Sequence, residues 1–523
     1  MSSSQVNLED FRIPLEAIIR ATKDFSRKNQ VGEGGFGTVY RGQVSEHPKK
    51  YLVAIKRLDP KAYQGTNQFT KEVNLVSSFN HPNIIPFVGY CDDANEKIIV
   101  FKYASNSSLE QNLCDPEKRR CLTWEQRLKI CLGAARGIKY LHSGVGEHSR
   151  VIHRDLKSAN ILLDENMEAN ICDFGLSRRS PRNQQDTRVC TRPCGTSFYM
   201  DPVYKERGTL SKESDIYSFG VIMFEVSSGM MAYNEWRFED TKELYLIGHV
   251  RSYYDDGGLV DGLDRLIDST IKDQIDMSSF EKFNKIAHEC INLDVSKRPT
   301  VDRIINTIVE ALNIQKIIAR AVSPLDFGSI NQLYFCLSNT HILLDRGYLS
   351  FQLDKESGKK CYMLGGKELY IALQDDNEYR KWGHIAESRF AEVCILKKVC
   401  WLEIRGKIAS VMLSQNNTYV VYLVYQTTSD SHGHSVPATT MVSFCGIGMV
   451  TENVYLQKSE ASEIWKENYV FPQRRKDGWM EIKLGEFEYN DGDNGEVEMA
   501  YVENNWGHWK KGLIVEGIEL RPK

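Results

Sequence analysis

Asp155, Lys157 and Asn160 lie close together in Val151-Ile-His-Arg-Asp-Leu-Lys-Ser-Ala-Asn-Ile-Leu-Leu-Asp164, and Asp173 follows in Cys172-Asp-Phe-Gly175. A carboxylate such as Asp155 can orient an attacking hydroxyl. Lys157, two residues on, can neutralise charge on a phosphoryl group in transit. Asn160 and Asp173 offer hard oxygen ligands of the kind that hold magnesium beside phosphates. Together the residue types and spacings are those that phosphoryl transfer to a hydroxyl requires.

A nucleotide site is legible upstream. Gly32-Glu-Gly34-Gly-Phe-Gly37-Thr-Val39 lets the backbone approach phosphates closely. The same glycine spacing opens dinucleotide folds, but the strand-like residues on both sides favour a hairpin over a strand-to-helix turn. Val53-Ala54-Ile55-Lys56 reads as a strand with Ala54, Lys56 and Leu58 on one face. A lysine in an apolar strand is costly unless paired. In the following helical stretch, Phe69, Glu72, Val76 and Phe79 share a face. Glu72 is therefore either the partner of Lys56 or an acid at the solvent edge of that stripe, and the pairing resolves both anomalies.

The strands that carry the glycine loop and Lys56 run to about residue 103, and helical periodicity dominates from 123 to 320. These motifs and this order resemble a eukaryotic protein kinase. The resemblance implies ATP and Mg2+ (or Mn2+) as cofactors, with Gly32, Gly34, Gly37, Val39, Ala54 and Lys56 around the nucleotide. It also implies that Phe101 guards the pocket behind adenine, that backbone groups of Lys102 and Ala104 bond the base, and that Leu162 forms its floor. Lys157 after Asp155 resembles serine/threonine kinases. Arg154 before Asp155 resembles kinases whose activation segment is ordered by its own phosphate. Within Leu122–His142 the sequence is similar to plant receptor-like kinases, closest to the intracellular domains of malectin-like receptors. Thr191 and Thr196 match their phosphorylatable and substrate-facing threonines, while Ser177, Ser180, Thr187, Ser197 and Tyr199 read as loop hydroxyls. One departure stands out. Met200-Asp201-Pro202-Val203 has valine where kinases place a glutamate that pairs with the arginine of Arg298-Pro299. Either Glu206 substitutes, or an unpaired Arg298 costs on the order of 3–5 kcal/mol. Asp215 is expected to brace the catalytic loop.

The whole chain must supply the scaffold. Its 523 residues suggest two to four domains, and 41% hydrophobic with 26% charged residues is ordinary for globular protein. A net charge of −4 argues against nucleic acid as a partner. Thirteen cysteines without a zinc-like spacing suggest reduced thiols. No apolar run approaches the ~18 residues of a membrane span. Met1-Ser-Ser-Ser-Gln5 has neither a signal peptide pattern nor a glycine in second place for a myristoyl group. The expectation is a soluble, cytoplasmic chain.

Beyond a break at Ser323-Pro-Leu-Asp-Phe-Gly328, strand-sized runs follow: Ile342–Leu344, Cys361–Leu364, Glu368–Leu373, Cys400–Ile404 and Tyr419–Tyr425. Gly358–Leu364, Glu387–Phe390, Val399–Lys407, Asp477–Ile482 and Gly512–Arg521 resemble the phloem protein 2 family of plant lectins. That resemblance implies an all-β jelly-roll-type sandwich and a ligand such as N-acetylglucosamine oligomers. Leu373 and Arg380 stand where the lectins usually have tryptophan, which removes a stacking platform for sugar. Tyr379 and Trp382 remain nearby, and Trp401, Trp479 and Trp509 read as packing residues.

The expected organisation is an N-terminal extension (1–22), an α+β bilobal kinase domain (23–313), a linker (314–330) and the sandwich (331–522). The expected function is serine/threonine phosphorylation, including of the chain itself. Expected partners are protein substrates and a membrane receptor kinase or glycoprotein met through the sandwich. The rival is an interaction scaffold with a silent kinase fold, favoured by Val203 alone.

Overall fold

The computed structural model describes residues 7–34, 37–46, 49–59, 65–93, 96–144, 150–180, 188–233, 245–255, 266–323, 330–372, 378–444, 447–457, 470–490, 493, 495–504 and 507–523. They form two compact units, Met1–Lys316 and Ile317–Lys523.

In the first unit, strands β1 (Gln30–Gly34), β2 (Gly37–Glu46), β3 (Lys49–Leu58), β4 (Phe87–Asp93) and β5 (Glu96–Lys102) make an antiparallel sheet in the order β1-β2-β3-β5-β4. Strand alternation decides the faces. Val53 and Ile55 are buried with Cys91, Ile98 and Val100 under Ile18 of helix α1 (Leu15–Thr22). Ala54 and Lys56 therefore turn to the opposite face. Residues 7–22 are thus part of the packed sheet layer: Arg12 bonds Asp93 at 2.8 Å and the Ile13 N–H donates to the Tyr90 carbonyl at 2.8 Å. At Gly37, φ is +137° and a Cβ would fall 2.1 Å from the Arg57 carbonyl oxygen, so only glycine closes the β1–β2 hairpin there. Gly35 and Phe36 of the glycine motif, and Thr187, lie outside the described residues. Helix α2 (Gly65–Val76) carries Glu72.

The rest of this unit is mainly helical, with a few short two-stranded ribbons. Lys212–Ser228 is apolar around most of its circumference and is buried from Ser214 to Ser228, as such a helix must be. Trp124, on the helix Trp124–Ser143, is buried against Phe280 and Phe283 at ring separations of 5.5 and 5.1 Å, and its Nε1 donates to Ser279 Oγ at 2.9 Å. The valine at position 203 does not leave Arg298 unpaired. The Arg298 guanidinium donates to both carboxylate oxygens of Asp201 at 2.8 Å, and also to the carbonyls of Asn292 and Glu213 at 2.8 and 2.9 Å. Glu206 stays exposed. Asp201 can do this because it caps the helix Pro202–Arg207, accepting the Val203 N–H at 3.0 Å, which fixes its carboxylate at the arginine.

The second unit holds two antiparallel sheets. The larger runs Ile342–Leu344, Leu349–Leu353, Lys360–Gly365, Lys511–Pro522, Asn417–His432, Met480–Tyr489 and Gln473–Arg474, with Val393–Leu396 and Arg380–Gly383 branching from Lys511–Pro522. The smaller runs Tyr370–Ile371, Leu402–Ala409, Glu496–Glu503, Ala438–Phe444 and Ile447–Val454. Rings from the two sheets meet, as at Phe444–Phe487 (5.5 Å), giving a sandwich. It departs from an all-β reading in opening on a helix, Ile330–Asn339. Within the run Glu368–Leu373, the described residues hold only the short strand Tyr370–Ile371, because Gly366–Glu368 turns instead. Trp479 is buried with Met363, Phe390, Val393, Val424 and Ile514, as packing requires, whereas Trp509 is 48% exposed with the Lys398 ammonium 4.8 Å from its ring. Trp509 lies just ahead of the strand Lys511–Pro522, and only its neighbour Lys510 is drawn inward, to the buried Glu503.

Candidate active site

Every residue assigned to the nucleotide from sequence lines one cleft of about 440 Å³: Gly32, Gly34, Gly37, Val39, Ala54, Lys56, Phe101, Lys102, Ala104 and Leu162. Glu72, Lys157, Asn160 and Asp173 line it as well. The Lys56 ammonium donates to both Glu72 oxygens at 3.0 Å and to Asp173 Oδ1 at 2.7 Å. Glu72 is thus the buried partner, not an edge residue. Burial disfavours the Lys56 charge, but Asp173 and Glu72 outweigh it and hold the lysine above its ordinary range. Burial likewise opposes ionisation of Asp173, and Lys56 overcomes it, keeping that carboxyl below the usual range. Phe174, next to Asp173, packs edge-on against Phe79 and His153 at 4.9 and 5.1 Å, which seats Asp173 towards the cleft.

Asp155 lies on the loop between strands Arg150–Ile152 and Ile161–Leu163. Its Oδ1 accepts the Thr196 N–H at 2.7 Å and the Thr196 hydroxyl at 2.8 Å. Lys157 lies 3.3 Å from Oδ2 and donates to Thr196 Oγ1 at 3.1 Å. Asn160 donates to the Asp155 carbonyl at 2.8 Å, which aims its amide oxygen away from the loop backbone. The loop is braced by buried Asp215, whose oxygens accept the N–H groups of His153 and Arg154 at 2.8 and 2.9 Å and meet His142 Nε2 at 2.9 Å. Arg154 sits at φ +72° and commits its guanidinium to the activation segment, donating to the carbonyls of Leu176 and Arg192 at 3.1 Å and to Tyr204 Oη at 2.6 Å. Its Nε is buried without a hydrogen bond to any of the described residues. Thr191 is half-buried, its N–H bonded to the Gly208 carbonyl at 2.8 Å.

Val31, Ile85, Tyr103, Ser108, Gln111, Ala159 and Cys172 also line the cleft and escaped the sequence reading. Ser108 and Gln111 could have been found. They form a reciprocal capping box on the helix Leu109–Cys114, at 3.2 and 3.3 Å, and that signature is visible in the sequence just after the strand.

In the second unit, Leu373 lies outside the described residues. Arg380 is buried, with its guanidinium 5.0 Å from the Trp382 ring, and Lys367 covers that ring at 4.0 Å. Trp382 is therefore capped by cations.

Residues 25–309 match the protein kinase domain model and residues 359–522 the phloem protein 2 model. Among curated proteins, the chain is 38% identical over 307 residues to the receptor-like protein kinase HERK 1 of Arabidopsis thaliana, covering 59% of this chain and 35% of that one. It is 36% identical over 318 residues to the receptor-like protein kinase THESEUS 1 of the same plant, covering 61% and 36%. A probable receptor-like protein kinase of Arabidopsis thaliana matches at 38% over 306 residues, covering 58% and 35%. The chain spans about a third of the length of these relatives. No helix among the described residues is long and apolar enough to cross a membrane. The kinase model covers more than half of the chain, which therefore belongs to the protein kinase family and carries a phloem protein 2 domain behind its kinase domain.

Proposed function

We propose that this chain is an ATP-dependent serine/threonine protein kinase that phosphorylates its own activation segment and selects partners through its C-terminal domain. The observation that carries this reading is Lys56, held by Glu72 and Asp173 in a glycine-walled cleft that also contains Asn160 and Lys157. The residues fit the cofactor. Val39, Ala54, Phe101 and Leu162 offer apolar walls for a base, and Asn160 and Asp173 offer hard oxygens suited to Mg2+, with Mn2+ able to replace it. When bound, ATP with its metal supplies the phosphoryl group. Lys56 would hold the α- and β-phosphates, and Asp155 would orient the acceptor hydroxyl and take its proton. Lys157 would offset charge on the group in transit.

The acceptor class is supported by Thr196. Its aliphatic hydroxyl already rests on Asp155 Oδ1 within reach of Lys157, the contact a serine or threonine of a substrate needs. Self-phosphorylation is supported by Arg154, which reaches the segment beside Thr191 and whose acceptors among the described residues are neutral. A phosphate would give it a charged one. The scaffold alternative loses its motive, because Arg298 has Asp201. For the sandwich, a protein partner such as a membrane receptor kinase or a glycoprotein is the reading we favour over free sugar, since Arg380 is buried and Trp382 capped. The reduced-thiol composition favours the cytoplasm.

Purified protein incubated with MgCl2 and ATP, beside Asp173→Asn, tests this by phosphosite mapping. Phosphate on Thr191 or its neighbours in the wild type alone is expected. A folded wild type that binds ATP and incorporates no phosphate would overturn it.

A further inference from the structure

Strand β4 lies at the edge of its sheet, where backbone groups lack a strand to pair with. The segment from Leu8 to Leu15 straps this edge. Arg12 and Tyr90 form a parallel bridge, in which the Ile13 N–H donates to the Tyr90 carbonyl at 2.8 Å. Asp93, at the end of β4, accepts the Arg12 guanidinium at 2.8 Å and the Leu15 N–H at 3.3 Å. Gly89 makes room for the strap: a Cβ there would lie 2.5 Å from the Phe11 carbonyl oxygen and 2.7 Å from Ile13 Cδ1. The strap precedes the match to the kinase model, which begins at residue 25. Two lines of rings nevertheless lead from it to the nucleotide site. Phe11 packs on Phe87 at a ring separation of 5.4 Å, and Phe87 meets Phe101, a wall of the cleft, edge-on at 6.3 Å. Tyr90, held by Ile13, meets Phe69 edge-on at 6.2 Å. Phe69 is buried on α2, three residues before Glu72 and on the same helical face. All these separations lie in the range at which aromatic rings attract one another.

We infer that Phe11 is a positioning residue for nucleotide binding. Seated over Gly89, it steadies Phe101 through Phe87. With the Ile13 strap on Tyr90, it also holds α2 so that Glu72 meets Lys56. That meeting tolerates little movement. Both Glu72 oxygens lie 3.0 Å from the Lys56 ammonium, and a retreat of α2 by about 1 Å would take them out of hydrogen-bond range. A buried acid separated from its cation is costly, so whatever fixes α2 also fixes the charge that awaits the phosphates. Interiors are close-packed, so a ring lost from the strap is answered by movement of the rings beside it. Ile18, on α1 of the same N-terminal segment, packs instead with Val53 and Ile55. It therefore separates general packing from this support. The inference rests on the nucleotide reading of the cleft above.

The test compares the full wild-type chain with Phe11→Ala, Phe11→Leu, Gly89→Ala and Ile18→Ala. A fluorescent ADP derivative with MgCl2 reads the cleft, and hydrogen exchange of the nucleotide-free chain reads the α2 amides. Phe11→Ala is expected to weaken ADP binding roughly three- to tenfold, the worth of one aromatic pair. It should also speed exchange in α2 and leave exchange in the helix Trp124–Ser143 unchanged. Gly89→Ala, which lifts the strap without altering Phe11, should do the same. Phe11→Leu should restore most of the affinity, and Ile18→Ala should move neither readout. Faster α2 exchange in the two strap variants, with no ADP binding even by wild type, would sink the nucleotide reading and keep the hold on α2. Strap variants that bind ADP and exchange α2 as wild type does overturn the inference. So does an Ile18→Ala chain that reproduces their effects.

Discussion

Lys56 is a cation inside an apolar strand, tolerated because two carboxylates meet it and because α2 brings Glu72 over the sheet. Replacing it with methionine keeps the volume but removes the charge that fixes Asp173. Phosphate incorporation by Lys56→Met is expected to fall by at least about 10²-fold, the loss typical of one preorganised electrostatic group, with the circular dichroism spectrum retained. Arg298 and Asp201 make the opposite case, a pair whose function is support. Both side chains are buried, so Asp201→Asn leaves a charge uncompensated and should destabilise the first unit by about 3–5 kcal/mol. Val203→Glu should shift the urea midpoint little, since Arg298 already has both its forks occupied. A rescue-like gain from Val203→Glu would show that Asp201 is an inadequate partner. At this scale the proposed catalytic residues stand out in the sequence because their chemistry demands fixed types at short spacing. The Arg298 partner does not, because 97 residues separate it from Asp201 and only the capped turn before Pro202 brings the carboxylate into place.

The element that carries most of the hidden electrostatics is the buried helix Lys212–Ser228. Its Glu225 is fully enclosed, and burial pushes its carboxyl up to about 7; the Tyr199 hydroxyl and the Ala232 N–H favour the charge, and Glu110 opposes it. Its Oε2 has no hydrogen-bond partner among the described residues. An acid whose folded pKa lies above its unfolded value binds more protons when folded. Stability therefore declines as pH rises between the two values and is level above them. From about pH 4.5 to about 7, this one group should remove roughly 3 kcal/mol. Denaturant titrations at pH 5 and pH 8 should show that decline in wild type and a smaller one in Glu225→Gln; equal slopes would refute the assignment. Helix α1 gives a packing counterpart. Ile18→Ala opens a cavity against Val53 and Ile55 and should cost about 2–5 kcal/mol. Its amphipathic spacing was visible in the sequence, whereas its place in the sheet core was not, because which strand face lacks cover is decided by the register of β3 with β5. The helix Ile330–Asn339 escaped for a related reason: a short apolar run fits helix or strand until its neighbours choose.

At the scale of the molecule, each unit closes its own core. The first is built around Lys212–Ser228, and the second places Trp479 among Met363, Phe390 and Ile514. The nucleotide cleft is lined entirely by residues of the first. A ligand stabilises only the cooperative unit that binds it, by about 2.7 kcal/mol at a concentration 100 times its Kd. Calorimetry of the full chain should therefore resolve two transitions, of which MgADP raises one and leaves the other where it was. Asp173→Asn, which removes the proposed metal ligand from the cleft, should weaken that shift and leave the unmoved transition alone. A single transition, or two that rise together, would mean that the sandwich and the kinase fold are energetically one body. The sandwich could then report directly on nucleotide binding. Two independent transitions instead confine coupling between partner choice and catalysis to the effective concentration that a shared chain provides.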